Sequence, residues 1–242
     1  MTVHPQQPDV GLTPAVELAN RALTRRDHRR TRIAAYPALL AAHGVDPSPL
    51  DHTSFRQLPP MTKENYLLAH PRTDLIWDGS LGDVVNWSAS SGSTGTPTYW
   101  PRSLHSLYDS VRFHEKILRD SFEAHKRSTL VVNTFAMGNW IGGTYTLMAI
   151  NGTNDLDMPV SIISPGMEID DAVPAFETLG PDYDQVVVAG YPGSVMDLLD
   201  HIDPESIAQQ NVKILLAGEA ISERWRTAML KKIGKLDDAR SI

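Results

Sequence analysis

The pattern of apolar and polar residues changes character about a third of the way along the chain. Beyond residue 84, short apolar runs alternate with segments of helical periodicity. Strands that alternate with helices are typical of βαβ units, so the pattern predicts an α/β fold, a mostly parallel sheet with flanking helices. The predicted strands are residues 128–135, 158–163, 184–190 and 212–218, and the predicted helices are residues 139–150, 168–179, 194–202 and 222–233.

The N-terminal part of the chain is helical and rich in proline instead. A helical pattern runs from Thr13 to about Ala42, and Pro37 is expected to kink or divide it. Thr62 is expected to cap a short helix that reads "KENYLLAH". We therefore predict a helical region with its connector over residues 1–60 and an α/β core over residues 61–242.

Between these parts lies a segment rich in glycine and hydroxyl residues. Residues 84–90 alternate like a strand, "PTYW" (97–100) can return as a second strand, and Ser103 is expected to cap the next helix. A hairpin turn explains the glycines but not the hydroxyl groups around them. The loop therefore either only turns the hairpin or also wraps a phosphate. The candidate phosphate-binding residues are Ser90, Ser91, Gly92, Ser93, Thr94, Gly95, Thr96 and Thr98.

Composition removes several classes of function. The net charge of −7 argues against nonspecific binding to nucleic acid or to anionic membranes. The sequence contains no cysteine, and its nine histidines show no metal-binding spacing, so we expect neither disulfides nor a metal site. Because we find neither a signal peptide nor an apolar run long enough to span a bilayer, we expect a cytoplasmic location.

The loop has neither the Walker A spacing nor the dinucleotide-binding G-x-G-x-x-G spacing. However, "SSGSTGTPT" (90–98) closely resembles the phosphate loop of the adenylate-forming superfamily, which includes the acyl-CoA synthetases. Its form is most similar to the phenylacetate–CoA ligase branch. Further segments resemble that branch in the same order along the chain. They are "LPPMTKENY" (58–66), "FAMGNWIGG" (135–143), "VVVAGYPGSVMDLL" (186–199) and "ILLAGEAISERWR" (214–226).

The resemblance implies that the chain corresponds to part of the large N-terminal domain of such an enzyme, and that the core over residues 61–242 binds nucleotide and acyl group. The activity it implies is ATP-dependent conversion of a carboxylic acid to an acyl-adenylate, followed by thioester formation with CoA. ATP or AMP, Mg²⁺ and CoA are the implied cofactors. The implied acyl-pocket residues are Phe135, Met137, Trp140, Ile141, Gly142, Tyr191 and Pro192, and the implied adenine-binding residues are Gly218, Glu219 and Ala220. From the residues alone, each aromatic could instead pack in the core, and Glu219 could instead cap a helix.

The sequence also departs from the family pattern. Thr96 replaces the usual loop lysine, and "GYPG" (190–193) stands where the family has "TPSY". The metal-binding glutamate, the ribose-binding aspartate and the C-terminal domain with its lysine have no counterpart, so we assign no catalytic residue. We expect the core to be incomplete at its C-terminal end and the chain alone to be inactive. The alternatives are a noncatalytic nucleotide- or acyl-binding module, or one subunit of a split ligase that pairs with itself or with a complementary chain.

Overall fold

The structure is a computed structural model that describes residues 32–46, 55–90 and 97–236. The chain divides into two compact units, residues 1–83 and 84–242. Residues 61–83 thus group with the helical unit by compactness. A functional division after residue 60 stays a prediction.

Short helical segments build the N-terminal unit. The cap at Thr62 is confirmed, because its hydroxyl accepts from the Asn65 N–H at 3.1 Å while the Asn65 side-chain oxygen accepts from the Thr62 N–H at 2.7 Å. Residues 13–31 of the helical pattern expected from Thr13 to Ala42 lie outside the described residues. Pro37 lies in the first turn of α1 (Ala35–Ala42), where the backbone N–H has no intrahelical partner, so the helix continues past it. The segments are α1 (Ala35–Ala42), a π-helical turn (Lys63–Leu67) and two 3₁₀ turns (Arg72–Leu75 and Trp77–Gly79).

The second unit begins with the predicted hairpin. Strands β1 (Val84–Ser90) and β2 (Thr98–Ser103) pair antiparallel, with Ser90 opposite Thr98. This register leaves residues 91–97 to connect the strands, which is longer than a tight two-residue turn. Helix α2 (Leu104–Phe122) follows at once, and its cap is confirmed because the Ser103 hydroxyl accepts from the Ser106 N–H at 3.2 Å.

The four predicted strands form one parallel sheet, in which the strand that begins at residue 160 lies first, followed by those that begin at residues 129, 185 and 212 (order β4-β3-β5-β6). Each strand is shorter than the sequence predicts. Among the described residues, β6 pairs only with β5, so it lies at an edge, as expected for the strand that contains Leu215. The strands are β3 (Thr129–Asn133), β4 (Val160–Ile163), β5 (Gln185–Gly190) and β6 (Val212–Leu216).

Helices connect the strands as predicted, with two differences. The helix expected from residue 139 starts as a π-helical turn (Ile141–Tyr145). A Cβ atom at Gly143 would lie 2.3 Å from the Ala136 carbonyl oxygen, so this close approach needs glycine. Helix α6 (Pro204–Gln209) is not predicted, although the Asp203 side chain caps it. The helices are α3 (Thr146–Thr153), α4 (Ile169–Leu179), α5 (Pro192–His201), α6 (Pro204–Gln209) and α7 (Glu223–Lys232).

Helices cover both faces of the sheet. Val132 and Val188 face a core cluster that includes residues of α4, α5 and α7, whereas Val131 and Val187 face a cluster that includes residues of α2 and α3. Successive residues of a strand point to opposite faces, so strands covered on both sides read as continuous apolar runs. None of the helices in the described ranges has the length and hydropathy of a membrane span.

Candidate functional site

The strand order creates a crevice at the carboxyl edge of the sheet. The chain leaves β3 toward β4 on one side, and it leaves β5 toward β6 on the other side. In open α/β sheets, ligands bind at the carboxyl ends of the strands where the connections diverge in this way. Thr134 and Phe135 follow β3 directly, and Tyr191 follows β5 directly, so these side chains lie at the crevice.

Tyr191 brings together residues 135–143, the predicted acyl-pocket segment (called the acyl segment below), and residues 218–220, the predicted adenine-binding segment. Its ring meets the Phe135 ring edge to face, with the centroids 5.0 Å apart and the planes at 88°. A Cβ atom at Gly142 would lie 2.9 Å from the Tyr191 hydroxyl oxygen, and a Cβ atom at Gly218 would lie 2.6 Å from a ring carbon. The ring therefore lies between the acyl segment and the strand end of β6, and both glycines leave room for it.

The other predicted acyl-pocket residues differ in exposure. Phe135 is only 4% exposed and belongs to the core as well as to the crevice, whereas Trp140 and Ile141 are each 40% exposed. The alternative interpretation, that Trp140 packs in the core, is therefore wrong. Met137 is half-buried, beside Gly143 and Gly166, and Pro192 is the buried first residue of α5.

The base of the hydroxyl-rich loop contacts the acyl segment. The Ala89 N–H donates to the Asn139 carbonyl oxygen at 2.7 Å, and Ala89 pairs with Trp140 in a parallel bridge. The half-buried Ser90 accepts from the Trp100 indole N–H at 3.2 Å, and Thr98 lies opposite Ser90. The remaining predicted phosphate-binding residues lie outside the described residues, so their role stays a prediction. They are Ser91, Gly92, Ser93, Thr94, Gly95 and Thr96.

A cavity of about 280 Å³ opens at this edge beside the start of α5. Glu219 lines it and is exposed, as are its neighbours Gly218 and Ala220. The helix-capping interpretation of Glu219 is wrong, because the Ser222 hydroxyl caps α7 by accepting from the Trp225 N–H at 3.2 Å. The lining residues are Thr134, Gly166, Met167, Ile169, Tyr191, Gly193, Ser194, Asp197 and Glu219.

A hydroxyl network fixes this cavity wall, and the sequence does not indicate it. The Thr134 N–H and hydroxyl both donate to the Ala189 carbonyl oxygen, at 2.7 and 3.1 Å. Ser194 lies 3.3 Å from the Thr134 hydroxyl and donates to the Tyr191 carbonyl oxygen at 3.0 Å. A Cβ atom at Gly190 would lie 2.0 Å from the Thr134 hydroxyl oxygen, so this position needs glycine.

Asn133 is a second residue that the sequence analysis misses. It is fully buried, and its amide donates to the Gly143 carbonyl oxygen and the Ser164 hydroxyl, both at 3.1 Å. Its side-chain oxygen accepts from the Phe135 N–H at 3.3 Å. These bonds hold the acyl segment against the ends of β3 and β4. In the sequence, the only indication of this role is that Asn133 follows the apolar run of residues 130–132 at the end of the predicted strand.

The electrostatics of the cavity are mixed. The N-terminus of α5 lies at its wall, which favours negative charge, whereas Asp197 and Glu219 contribute carboxylates. Within the described ranges, no group of three histidine or carboxylate side chains could hold a metal ion. The crevice therefore offers apolar surface, hydroxyl groups and backbone donors.

Neither a family model nor a curated protein sequence matches the chain. Solved structures of 2-hydroxyisobutyryl-CoA ligase match the chain. The open conformation with 2-HIB-AMP and CoA matches with a TM-score of 0.67 and 15% identity, covering 91% of this chain and 50% of the ligase. The thioesterification state with the same ligands matches with a TM-score of 0.68 and 17% identity, covering 92% and 48%. The postadenylation state with 2-HIB-AMP matches with a TM-score of 0.68 and 16% identity, covering 95% and 51%.

This likeness shows the fold. The chain has the α/β fold of a fragment of an adenylate-forming enzyme. It spans about half the length of the ligase structures that it matches. The predicted fold class is therefore confirmed, while the similarity to the phenylacetate–CoA ligase branch stays a prediction.

Proposed function

We propose that this chain forms part of an ATP-dependent ligase that activates a carboxylic acid as an acyl-adenylate and then transfers the acyl group to CoA. The observation that carries this proposal is the 2.7 Å bond between Ala89 and Asn139, which ties the base of the hydroxyl-rich loop to the acyl segment. A phosphate held by the loop and an acid held by the segment would then lie side by side.

The proposed reaction has two steps. A carboxylate oxygen of the acid attacks the α-phosphorus of ATP, the bond to the bridging oxygen breaks, and pyrophosphate leaves. The CoA thiol then attacks the acyl carbon, and AMP leaves. Such transfers depend mainly on positioning and on stabilising charge at the phosphate oxygens. Residues 90–98 would supply hydroxyl and N–H donors to these oxygens, and residues 218–220 would contact adenine.

Several finer features belong to the same proposal. The "SSGSTG-x-P-T" form of the loop supports a phenylacetate–CoA ligase-like branch. Two of the matched ligase structures hold 2-HIB-AMP and CoA, and the postadenylation state holds 2-HIB-AMP, which supports an acyl-adenylate and CoA as ligands here. Because the described residues offer no cluster for Mg²⁺, we derive no step through it. The edge of β6 that no described strand covers could pair with a second copy or with a complementary chain.

Binding of stable acyl-adenylate analogues tests the proposal. We expect an N-acylsulfamoyl adenosine to bind at least about tenfold more tightly than adenosine in calorimetric titrations, because the acyl group adds buried apolar contact. Binding that is equal for adenosine and all analogues would instead favour a noncatalytic nucleotide-binding module. No binding by any analogue would contradict the proposal.

A specificity test uses the exposed Trp140. If Trp140 lines the acyl pocket, Trp140→Ala should shift preference toward bulkier acyl groups, since each methylene-sized change is worth roughly 1–3 kcal/mol. Phe113→Ala is the control, because Phe113 is an exposed aromatic of α2. A uniform loss of affinity across the acyl series would exclude Trp140 from the pocket.

A further inference from the structure

A second cavity opens at the amino edge of the parallel sheet, where the strands begin, and so lies at the other end of β5 from Tyr191. Its volume is about 460 Å³, which is within the roughly 300–1,000 Å³ range of small-molecule sites. The lining residues are Ser121, Phe122, Glu123, Arg127, Gln185, Asn211, Lys213 and Lys235. The proposed ligase reaction uses none of these side chains.

The lining of this cavity is rich in positive charge, although the chain as a whole is acidic. It contains three cationic side chains and one carboxylate, whereas the net charge of the chain is −7. That carboxylate, Glu123, is already paired with Lys126 at 3.0 Å and with Arg127 Nη2 at 3.2 Å. The charge of Arg127 also acts on Asp184, but Asp184 does not line the cavity and accepts from the N–H and hydroxyl of Ser128. Since a guanidinium has five N–H donors, Arg127 keeps donors for an anion.

Gln185 adds a buried acceptor to the same lining. Its side chain is fully buried, and its amide nitrogen donates to the Phe122 carbonyl oxygen at 2.9 Å and to the Thr129 hydroxyl at 2.8 Å. Exchanging the amide oxygen and nitrogen would set two oxygens against each other at Phe122, so the hydrogen bonds fix the orientation of the amide. The side-chain oxygen has no hydrogen-bond partner within the described ranges. Because a buried acceptor without a donor is costly, a ligand hydroxyl that bonds to this oxygen would gain affinity.

The charge and the buried acceptor together define the chemistry of an occupant. An uncharged sugar could donate to the Gln185 oxygen, but it would leave the cationic side chains without a counter-charge. A phosphate ester without hydroxyl groups would meet the cations, but it would leave the Gln185 oxygen without a donor. A phosphate ester with free hydroxyl groups satisfies both.

We propose that the cavity at the amino edge binds a small phosphate ester that carries free hydroxyl groups. Arg127 and Lys235 hold the phosphate, and one hydroxyl group of the ester donates to the side-chain oxygen of Gln185. This inference goes beyond the proposed function and does not depend on it, because the cavity shares no lining residue with the cavity at the carboxyl edge.

The experiment compares two phosphate esters that differ only in their hydroxyl groups. Glycerol 3-phosphate, propyl phosphate and glycerol are titrated into the full chain in a calorimeter. Glycerol 3-phosphate should bind at least about fivefold more tightly than propyl phosphate, and glycerol should not bind. Gln185→Leu removes the acceptor, so this ratio should fall to within about twofold of unity while propyl phosphate still binds. Because the ratio compares two ligands of one variant, reduced stability of Gln185→Leu cannot produce this result.

A charge variant tests where the phosphate lies. Arg127→Gln should weaken the binding of both esters about tenfold. Arg112→Gln is the control, because it removes the same charge from an exposed position of α2 outside the lining and should leave both affinities unchanged. Saturating acylsulfamoyl adenosine should not displace glycerol 3-phosphate, since the two cavities are separate.

Several results would overturn the inference while the proposed function stands. They are no binding of glycerol 3-phosphate, equal binding of the two esters, an affinity that Arg127→Gln leaves unchanged, and displacement by acylsulfamoyl adenosine. If no acylsulfamoyl adenosine binds but glycerol 3-phosphate does, the proposed function fails and this inference stands.

Discussion

The two edges of the parallel sheet use polar groups in opposite ways. At the amino edge, the Asp184 carboxylate accepts from the N–H and hydroxyl of Ser128 at 2.8 and 2.9 Å. The buried Gln185 amide there donates to the Phe122 carbonyl oxygen and the Thr129 hydroxyl. At the carboxyl edge, Tyr191 and Glu219 line a cavity instead. The carboxylate and amide at the amino edge are bonded to protein groups, whereas Glu219 at the carboxyl edge is exposed at the cavity.

Cavity size alone would favour the amino edge as the ligand site. A larger cavity of about 460 Å³ lies at the amino edge, where Arg127 and Glu123 contribute to its lining. These two side chains form an ion pair with each other at 3.2 Å. None of the segments that resemble the adenylate-forming family is centred there. We therefore propose that the acyl-adenylate ligand binds at the smaller cavity, and the following predictions test that proposal.

The largest effect on folding is expected at Gly190, at the carboxyl end of β5. Gly190→Ala forces a methyl group onto the Thr134 hydroxyl oxygen and should lower the free energy of unfolding by about 3 kcal/mol. Urea denaturation measures this loss. Thr134→Ala should restore part of the stability in the double variant, since it removes the obstructing oxygen. A stable Gly190→Ala single variant would contradict the packing described for this edge.

A smaller effect is expected at the amino edge. Gln185→Leu leaves the buried Phe122 carbonyl oxygen without its donor, which should cost about 1–2 kcal/mol of stability. Part of the cost is offset, because the Gln185 side-chain oxygen has no partner within the described ranges and is removed too. Binding of acylsulfamoyl adenosine should remain within about twofold of wild type. A selective loss of binding in a folded variant would move the ligand to this edge.

The smallest effect on stability is expected at Asp184, and it should depend on pH. The N–H and hydroxyl of Ser128 lower the pKa of Asp184 below its ordinary value of 3.8. A lowered pKa in the folded state means stability that is present above the ordinary pKa and is lost as pH falls through the folded pKa. The difference in urea midpoint between wild type and Asp184→Asn should therefore shrink in acid. A difference that does not change with pH would contradict this assignment.

An element of the fold could be predicted from the sequence when neighbouring residues alone determine it. The parallel strands were predictable because residues such as Val131 and Val132 are buried on opposite faces, which gives continuous apolar runs. The caps at Thr62 and Ser103 were predictable from nearby residues. The π-helical turn was not, because it depends on the approach of Gly143 to the Ala136 carbonyl group.

The candidate site was predictable only as separate segments. The sequence placed Tyr191 and Gly218 in two different subsites, but their contact depends on the order of strands β5 and β6. Thr134 and Asn133 were missed because their roles come from bonds to the ends of neighbouring strands. Periodicity carries no information about such bonds, since they join residues far apart in the chain.

Hydrogen exchange with and without the tightest-binding acylsulfamoyl adenosine tests the central claim most directly. If the ligand binds at the carboxyl edge, exchange should slow in peptides that cover residues 135–143, 190–194 and 217–220. Peptides that cover residues 126–129 and 183–185, at the amino edge, should exchange at an unchanged rate. Protection confined to the amino edge would contradict the account, because the ligand would then occupy the larger cavity and not the crevice around Tyr191.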